Sequence, residues 1–133
     1  MLVDDHRLVR ETWKMLLESG GAISVIRECD SGLEAIDCAP DLHPDIILMD
    51  INMSPINGFE ATSRILEKSP RIKIIGISVN SQPGYARNII EMGASGYVTK
   101  NSSREEMLTA IKEVLDGQTY ICAEVRSKMH ETQ

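Results

Sequence analysis

Five polar residues in this chain stand where apolar runs end. Asp4 and Asp5 follow Leu2–Val3, Asp50 follows IILM (46–49), Ser78 follows IKIIGI (72–77), and Lys100 closes GYVTK (96–100). With those runs as strands of one parallel sheet, all five side chains meet at one edge. Three clustered carboxylates repel and raise one another's pKa values, and they become comfortable only around a cation. Magnesium fits, because it is hard, takes oxygen ligands and keeps waters and substrate phosphate oxygens in its shell. Lys100 adds a mobile point charge suited to a phosphate oxygen, and Ser78 can donate a hydrogen bond to another. Asp50, the central acid, is the candidate nucleophile, since an aspartyl carboxylate can form a covalent phosphoryl intermediate.

The elements that must position these residues alternate along the chain. Apolar runs at Leu2–Val3, ISVI (23–26), IILM, IKIIGI and GYV (96–98) read as strands. Those at 46–49 and 72–77 show little alternation, as strands covered on both faces do. Helical stripes lie between them. Val9, Trp13, Leu16 and Leu17 form the first, stopped by Gly20-Gly21. Ser31 with Glu34 makes a capping box for the second. Phe59, Thr62, Ile65 and Leu66 form the third, and Pro83 opens a fourth. Ser103 and Glu106 open a fifth, with Met107, Leu108, Ile111, Val114 and Leu115 inward and Gly117 at its end. This (βα)5 order predicts a single doubly wound α/β domain with helices on both faces and its functional crevice at the carboxyl ends of the strands. The first strand has about three residues before Asp4. A central strand has five or six, so residues upstream of Met1 are expected.

Composition narrows the class. The 133 residues are 42% hydrophobic and suffice for one core. Twenty acids against 14 Lys and Arg leave a net charge of −6, without the basic footprint of a nucleic-acid binder. No apolar run approaches the roughly 20 residues that span a bilayer, and Asp4 and Asp5 stand where a signal peptide carries positive charge. Cys29, Cys38 and Cys122 are odd in number and lack C-x-x-C spacing, which favours reduced thiols, small and partly buried, over disulfides or zinc.

The stretches LVDDHRLVR, DIILMDINMSPINGFEA, GISVN and GASGYVTK together resemble the CheY-like receiver domain of bacterial response regulators. The DDH opening and GASGYVTKNSSREEM resemble most the NarL/FixJ-type subfamily. The resemblance spans residues 1–116 and is specific because five strand ends match at once. It implies a flavodoxin-like sheet of order 2-1-3-4-5. It implies Asp50 as phosphoacceptor. It gives Mg²⁺ the ligands Asp5, Asp50 and the Asn52 backbone carbonyl, with Asp4 acting through water. Ser78 and Lys100 would bind the phosphoryl group. Ser78 and Tyr97 would switch, and Asn52 and Asn80 would tune dephosphorylation. A sensor histidine kinase as donor, homodimerisation on phosphorylation and a cytoplasmic, membrane-free setting are implied too. Residues 117–133 would be a tail or linker toward an absent helix-turn-helix output domain, so DNA would not be bound through this chain itself. Two departures stand out: Ser54 occupies the position after Met53 where the family has Pro, and Asn101 follows Lys100 where many receivers have a cis proline.

Alternatives exist for single residues. Asp50 alone could cap a turn, Tyr97 could simply pack, and His6 reads as a solvated or capping residue at the start of the first helix rather than a ligand. Acids in SREE (103–106) suit the positive end of a helix. Two other functions share parts of the pattern. A haloacid-dehalogenase-like Mg²⁺ phosphatase also uses an Asp nucleophile, but needs a second acid where Asn52 stands. A flavodoxin-type FMN carrier needs a Ser/Thr/Gly-rich first loop, where this chain has Asp-Asp-His.

Overall fold

The structure, a computed structural model, describes residues 1–131. Six parallel strands form one sheet: β1 (Leu2–Val3), β2 (Glu28–Cys29), β3 (Ile46–Asp50), β4 (Lys73–Ser78), β5 (Gly96–Thr99) and β6 (Tyr120–Ile121). Their order is β2-β1-β3-β4-β5-β6, so the expected 2-1-3-4-5 sheet is present and gains a sixth strand. The helices are α1 (Arg7–Glu18), α2 (Gly32–Leu42), α3 (Gly58–Lys68), α4 (Pro83–Glu91), α5 (Arg104–Leu115) and α6 (Ala123–Glu131). Helix α1 packs against α5, while α2, α3 and α4 pack in succession and α6 joins α4. In β3 and β4 all but the first residue is buried. Covered on both faces, these strands have no use for alternation, which explains their uniformly apolar runs.

Caps set where the helices start. The Ser31 and Ser103 hydroxyls accept from the amides of Glu34 (3.1 Å) and Glu106 (3.0 Å), and Asn57 does the same for Glu60 (2.9 Å). Each such cap contributes about 1 kcal/mol. Helix α4 starts at Pro83 with no side-chain cap.

Two expectations need correction. The second strand lies at Glu28–Cys29, not at 23–26. Leu2 pairs with Glu28, so 23–26 faces no residue of β1, and the Val25 amide turns to the Glu18 carboxylate at 2.9 Å. Leu115 is 55% exposed rather than inward. It sits at the rim of a cavity of about 180 Å³ below the short β1, lined also by Met1, Leu17, Ile23, Ile46 and Ile111. The described part of the stretch 117–133, expected to be a tail or linker, carries β6 and α6; residues 132–133 lie outside the described residues. Strand β6 pairs with β5, and the Tyr120 hydroxyl (3.0 Å) and the Ala123 amide (2.8 Å) both donate to Glu106. Glu106 thus does more than complement its own helix: its carboxylate sits at the N-terminus of α6.

The glycine that closes the site loop has no substitute. A Cβ on Gly58 would lie 2.4 Å from the Asp50 carbonyl oxygen and 2.6 Å from the Ile51 Cα, both backbone. Only glycine lets α3 begin this close to the end of β3, where the Gly58 amide donates to the Ile51 carbonyl at 2.9 Å. Gly58→Ala should therefore cost roughly 1–3 kcal/mol in urea unfolding, and an unchanged midpoint would show that the loop relaxes freely. Glu106→Ala should leave the main sheet intact but speed amide exchange across residues 120–129; protection equal to wild type would deny Glu106 its role in holding β6 and α6.

Candidate functional site

The strand register assembles the carboxyl edge. Asp50 ends β3 opposite Ile77, Ser78 pairs with Thr99, and the Lys100 amide donates to the Ser78 carbonyl at 2.9 Å. Asp4 follows β1, anchored by its amide donating to the Cys29 carbonyl at 3.1 Å. The five strand-end residues expected from the sequence therefore converge, although not all five touch.

Asp50 is 1% exposed and Asp4 7%. Lys100 Nζ lies 3.2 Å from Asp4 Oδ2 and 3.5 Å from Asp50 Oδ1, bridging the two. The Asn52 amide donates to Asp50 Oδ1 at 3.1 Å. Asp50 Oδ2 is buried with no hydrogen-bond partner among the described residues. Burial first, then the neighbouring Asp4 charge, pushes the Asp50 carboxyl up to about 6; Lys100 and the Asn52 amide pull against that rise. One ligand atom each from Asp4, Asp5, His6 and Asp50 lies within 4.8 Å of the others. Such a set fits a hard divalent cation: it is acid-rich and it contains an orphaned carboxylate oxygen.

The other expected residues form a chain leading away from the acids. The Ser78 hydroxyl donates to the Asn52 side-chain oxygen at 2.6 Å and accepts from the Asn80 amide at 3.0 Å. Tyr97 is fully buried, and its hydroxyl donates to the Asn80 carbonyl. Burial pushes that phenol up to about 12. The peptide bond after Lys100 is trans, as Asn101 in place of proline implies; the cis bond precedes Pro55.

One contributor, Arg10, was not among the residues expected from the sequence. Arg10 donates to the Asp4 carbonyl at 2.7 Å and holds β1 from α1. Its only signal was a cation six residues beyond Asp4 on an amphipathic helix. His6 is the N-cap of α1 but makes no side-chain cap; its Nδ1 instead lies 3.2 Å from Asp4 and 3.0 Å from Asp5.

The response regulator receiver domain family matches residues 1–112. The chain belongs to that family. This receiver domain is 36% identical over 129 residues to the response regulator GacA of Pseudomonas viridiflava, covering 97% of this chain and 60% of that protein. It is 34% identical over all 133 residues to UvrY of Escherichia coli K12, covering 61% of it. These are NarL/FixJ-type relatives, and the chain spans about three-fifths of their length. A crystal structure of a LuxR-family response regulator from Aurantimonas sp. SI85-9A1 superposes with a TM-score of 0.95 at 32% identity, over 99% of this chain and 94% of that one. Receiver domains are not conventional enzymes, and neither the phosphatase nor the FMN-carrier reading gains support. No helix among the described residues is long and apolar enough to cross a membrane.

The raised Asp50 pKa has a signed consequence for metal-free protein. The folded state holds this proton more tightly than the unfolded chain, whose value stays near the ordinary 3.8. The ionised carboxylate therefore costs no stability below pH 4, an increasing amount from pH 4 to 6, and its full amount above 6. Asp50→Asn should stabilise the metal-free domain at pH 7.5 by roughly 1–3 kcal/mol. The gain should vanish near pH 4 in thermal unfolding. A gain constant across that range would exclude an ionised, desolvated Asp50.

Proposed function

We propose that this chain is the phosphoryl-accepting switch of a two-component response regulator, with Asp50 taking the phosphoryl group from a histidine of a sensor kinase. One observation carries the reading above all: Asp50 presents a buried, unpartnered Oδ2 at the centre of an acid cluster, with a lysine ammonium 3.5 Å from its other oxygen. A structural carboxylate is normally satisfied; this one is held ready.

In this reading Asp5, Asp50 and the Asn52 carbonyl hold Mg²⁺, with Asp4 acting through water. The ion, when bound, offsets the carboxylate charges and those of the phosphoryl oxygens. An Asp50 oxygen attacks phosphorus, and the donor histidine leaves with its nitrogen lone pair. Lys100 then exchanges part of its contact with Asp50 for a phosphoryl oxygen. Ser78 gives up Asn52 and donates to another. Because the Asn80 amide rests on Ser78, and Tyr97 on Asn80, the loop 79–82 must adjust. Asn52 and Asn80 flank the path of the water that later hydrolyses the acyl phosphate. The change is a population shift, limited by the free energy of the new phosphoryl contacts. The output, proposed as transcription through a DNA-binding segment beyond this chain, follows from the NarL/FixJ kinship; homodimerisation on phosphorylation and a cytoplasmic setting belong to the same reading.

Acetyl phosphate with Mg²⁺ should label wild type and not Asp50→Asn, with a mark more labile to base than to acid. Asp5→Asn should bind Mg²⁺ more weakly and lose labelling while staying folded. Label on Ser78 or His6 would overturn the assignment of the nucleophile. With beryllofluoride and Mg²⁺, NMR shifts are expected at Ser78, Asn80, Tyr97 and residues 83–93. Shifts confined to the neighbours of Asp50 would mean that the site binds its anion without switching the domain.

A further inference from the structure

Two of the three cysteines, separate in sequence, touch in the fold. Cys29 ends β2 and is fully buried, while Cys38 is half-buried on α2. Their Sγ atoms lie 3.6 Å apart. The Met1 thioether flanks Cys38 at 3.8 Å, so sulfur lines this part of the interior. Cys122 is also buried, but follows β6 at the opposite edge of the sheet.

We propose that Cys29 and Cys38 form a dithiol modification site that small hydroperoxides close to a disulfide and low-molecular-weight thiols reopen. At 3.6 Å the sulfurs are in van der Waals contact. A disulfide needs about 2.05 Å, so they must approach by about 1.5 Å. Each side chain rides on a different element, β2 and α2, and rotation about either Cα–Cβ bond moves its sulfur. Solvent reaches Cys38 first. Its sulfur attacks the peroxide O–O bond, forming the sulfenic acid and releasing water or an alcohol. The Cys29 sulfur then displaces hydroxide from the Cys38 sulfur, and the Cys29 proton leaves with that hydroxide as water. The two thiols supply two electrons and the peroxide accepts both.

Burial and the adjoining Cys38 push the Cys29 thiol well above its usual range, so it is no free nucleophile toward oxidant. Contact with Cys38 suits it instead as the resolving partner, because proximity replaces the encounter. A reducing thiol pool holds such a pair open until oxidant arrives. The location gives the mark an audience. The Cys29 carbonyl accepts the Asp4 amide, so a bond tying Cys29 to α2 lies one hydrogen bond from the acidic site. The chemistry at the sulfurs does not depend on the phosphoryl reading.

The test uses the full chain, reduced, freed of reductant and treated with a modest excess of hydrogen peroxide. After an acid quench, free thiols are alkylated under denaturing conditions and peptides are mapped without reduction. The expected product is a Cys29–Cys38 cross-link, lighter by two hydrogens and reversed by dithiothreitol, with Cys122 alkylated. Cys122→Ser should cross-link as wild type does, and Cys38→Ser should leave Cys29 reduced. Cys38 advancing to sulfinic acid while Cys29 stays free would overturn the proposal. So would cross-links through Cys122, or thiols that all remain alkylatable.

Discussion

The structure turns on a carboxylate kept out of water. Asp50 ends a strand covered on both faces, so its charge is desolvated by the same packing that stabilises the sheet. Every close neighbour answers that cost or adds to it. Lys100 and the Asn52 amide offset it, whereas Asp4 increases it. A site built this way stores electrostatic tension that a cation and an anion together can relieve. Binding free energy can then be spent on rearranging the surroundings rather than on neutralising an already satisfied group.

That tension is wired to one loop. From Asp50 the contacts run through Asn52 to Ser78, from Ser78 to Asn80, and from Asn80 to the Tyr97 hydroxyl. Ser81, the next residue, receives the ammonium of Lys128 on α6. Thr99 beside Lys100 donates to Glu124 on the same helix at 3.1 Å. The loop between β4 and α4 thus lies between the acids and the last helix. The start of α4, which lacks a side-chain cap, lies where this chain of contacts passes.

The last helix is held by polar contacts at its start and by a small apolar plug. Cys122 and Val125 are fully buried, and Glu106 caps the turn between β6 and α6. Such an attachment is shallow compared with β3 and β4, whose buried runs anchor the sheet. A shallow attachment can shift without unfolding what it rests on.

How much of this was legible follows from what each feature depends on. The five (βα) units and the meeting of Asp4, Asp5, Asp50, Ser78 and Lys100 could be read from the chain, because they rest on local periodicity and on topology rules for parallel sheets; the strand order 2-1-3-4-5 rested on the resemblance of the motifs to the receiver family. The cap at Ser31 was legible for the same local reason. Other features needed the assembled molecule. The true position of β2 depends on where β1 supplies a partner, and no property of ISVI reveals that. Strand β6 is two residues long and relies on a carboxylate fourteen residues earlier, Glu106, which locally reads as helix-start chemistry. The Cys29–Cys38 contact, the Arg10 brace on Asp4 and the orphaned Asp50 oxygen are likewise relations between side chains on different elements. The sequence by itself determined which residues reach the carboxyl edge, since strand ends are set by short-range pattern. Tertiary structure alone decided how far apart they stand and which stay unsatisfied, because distances and desolvation are properties of packing.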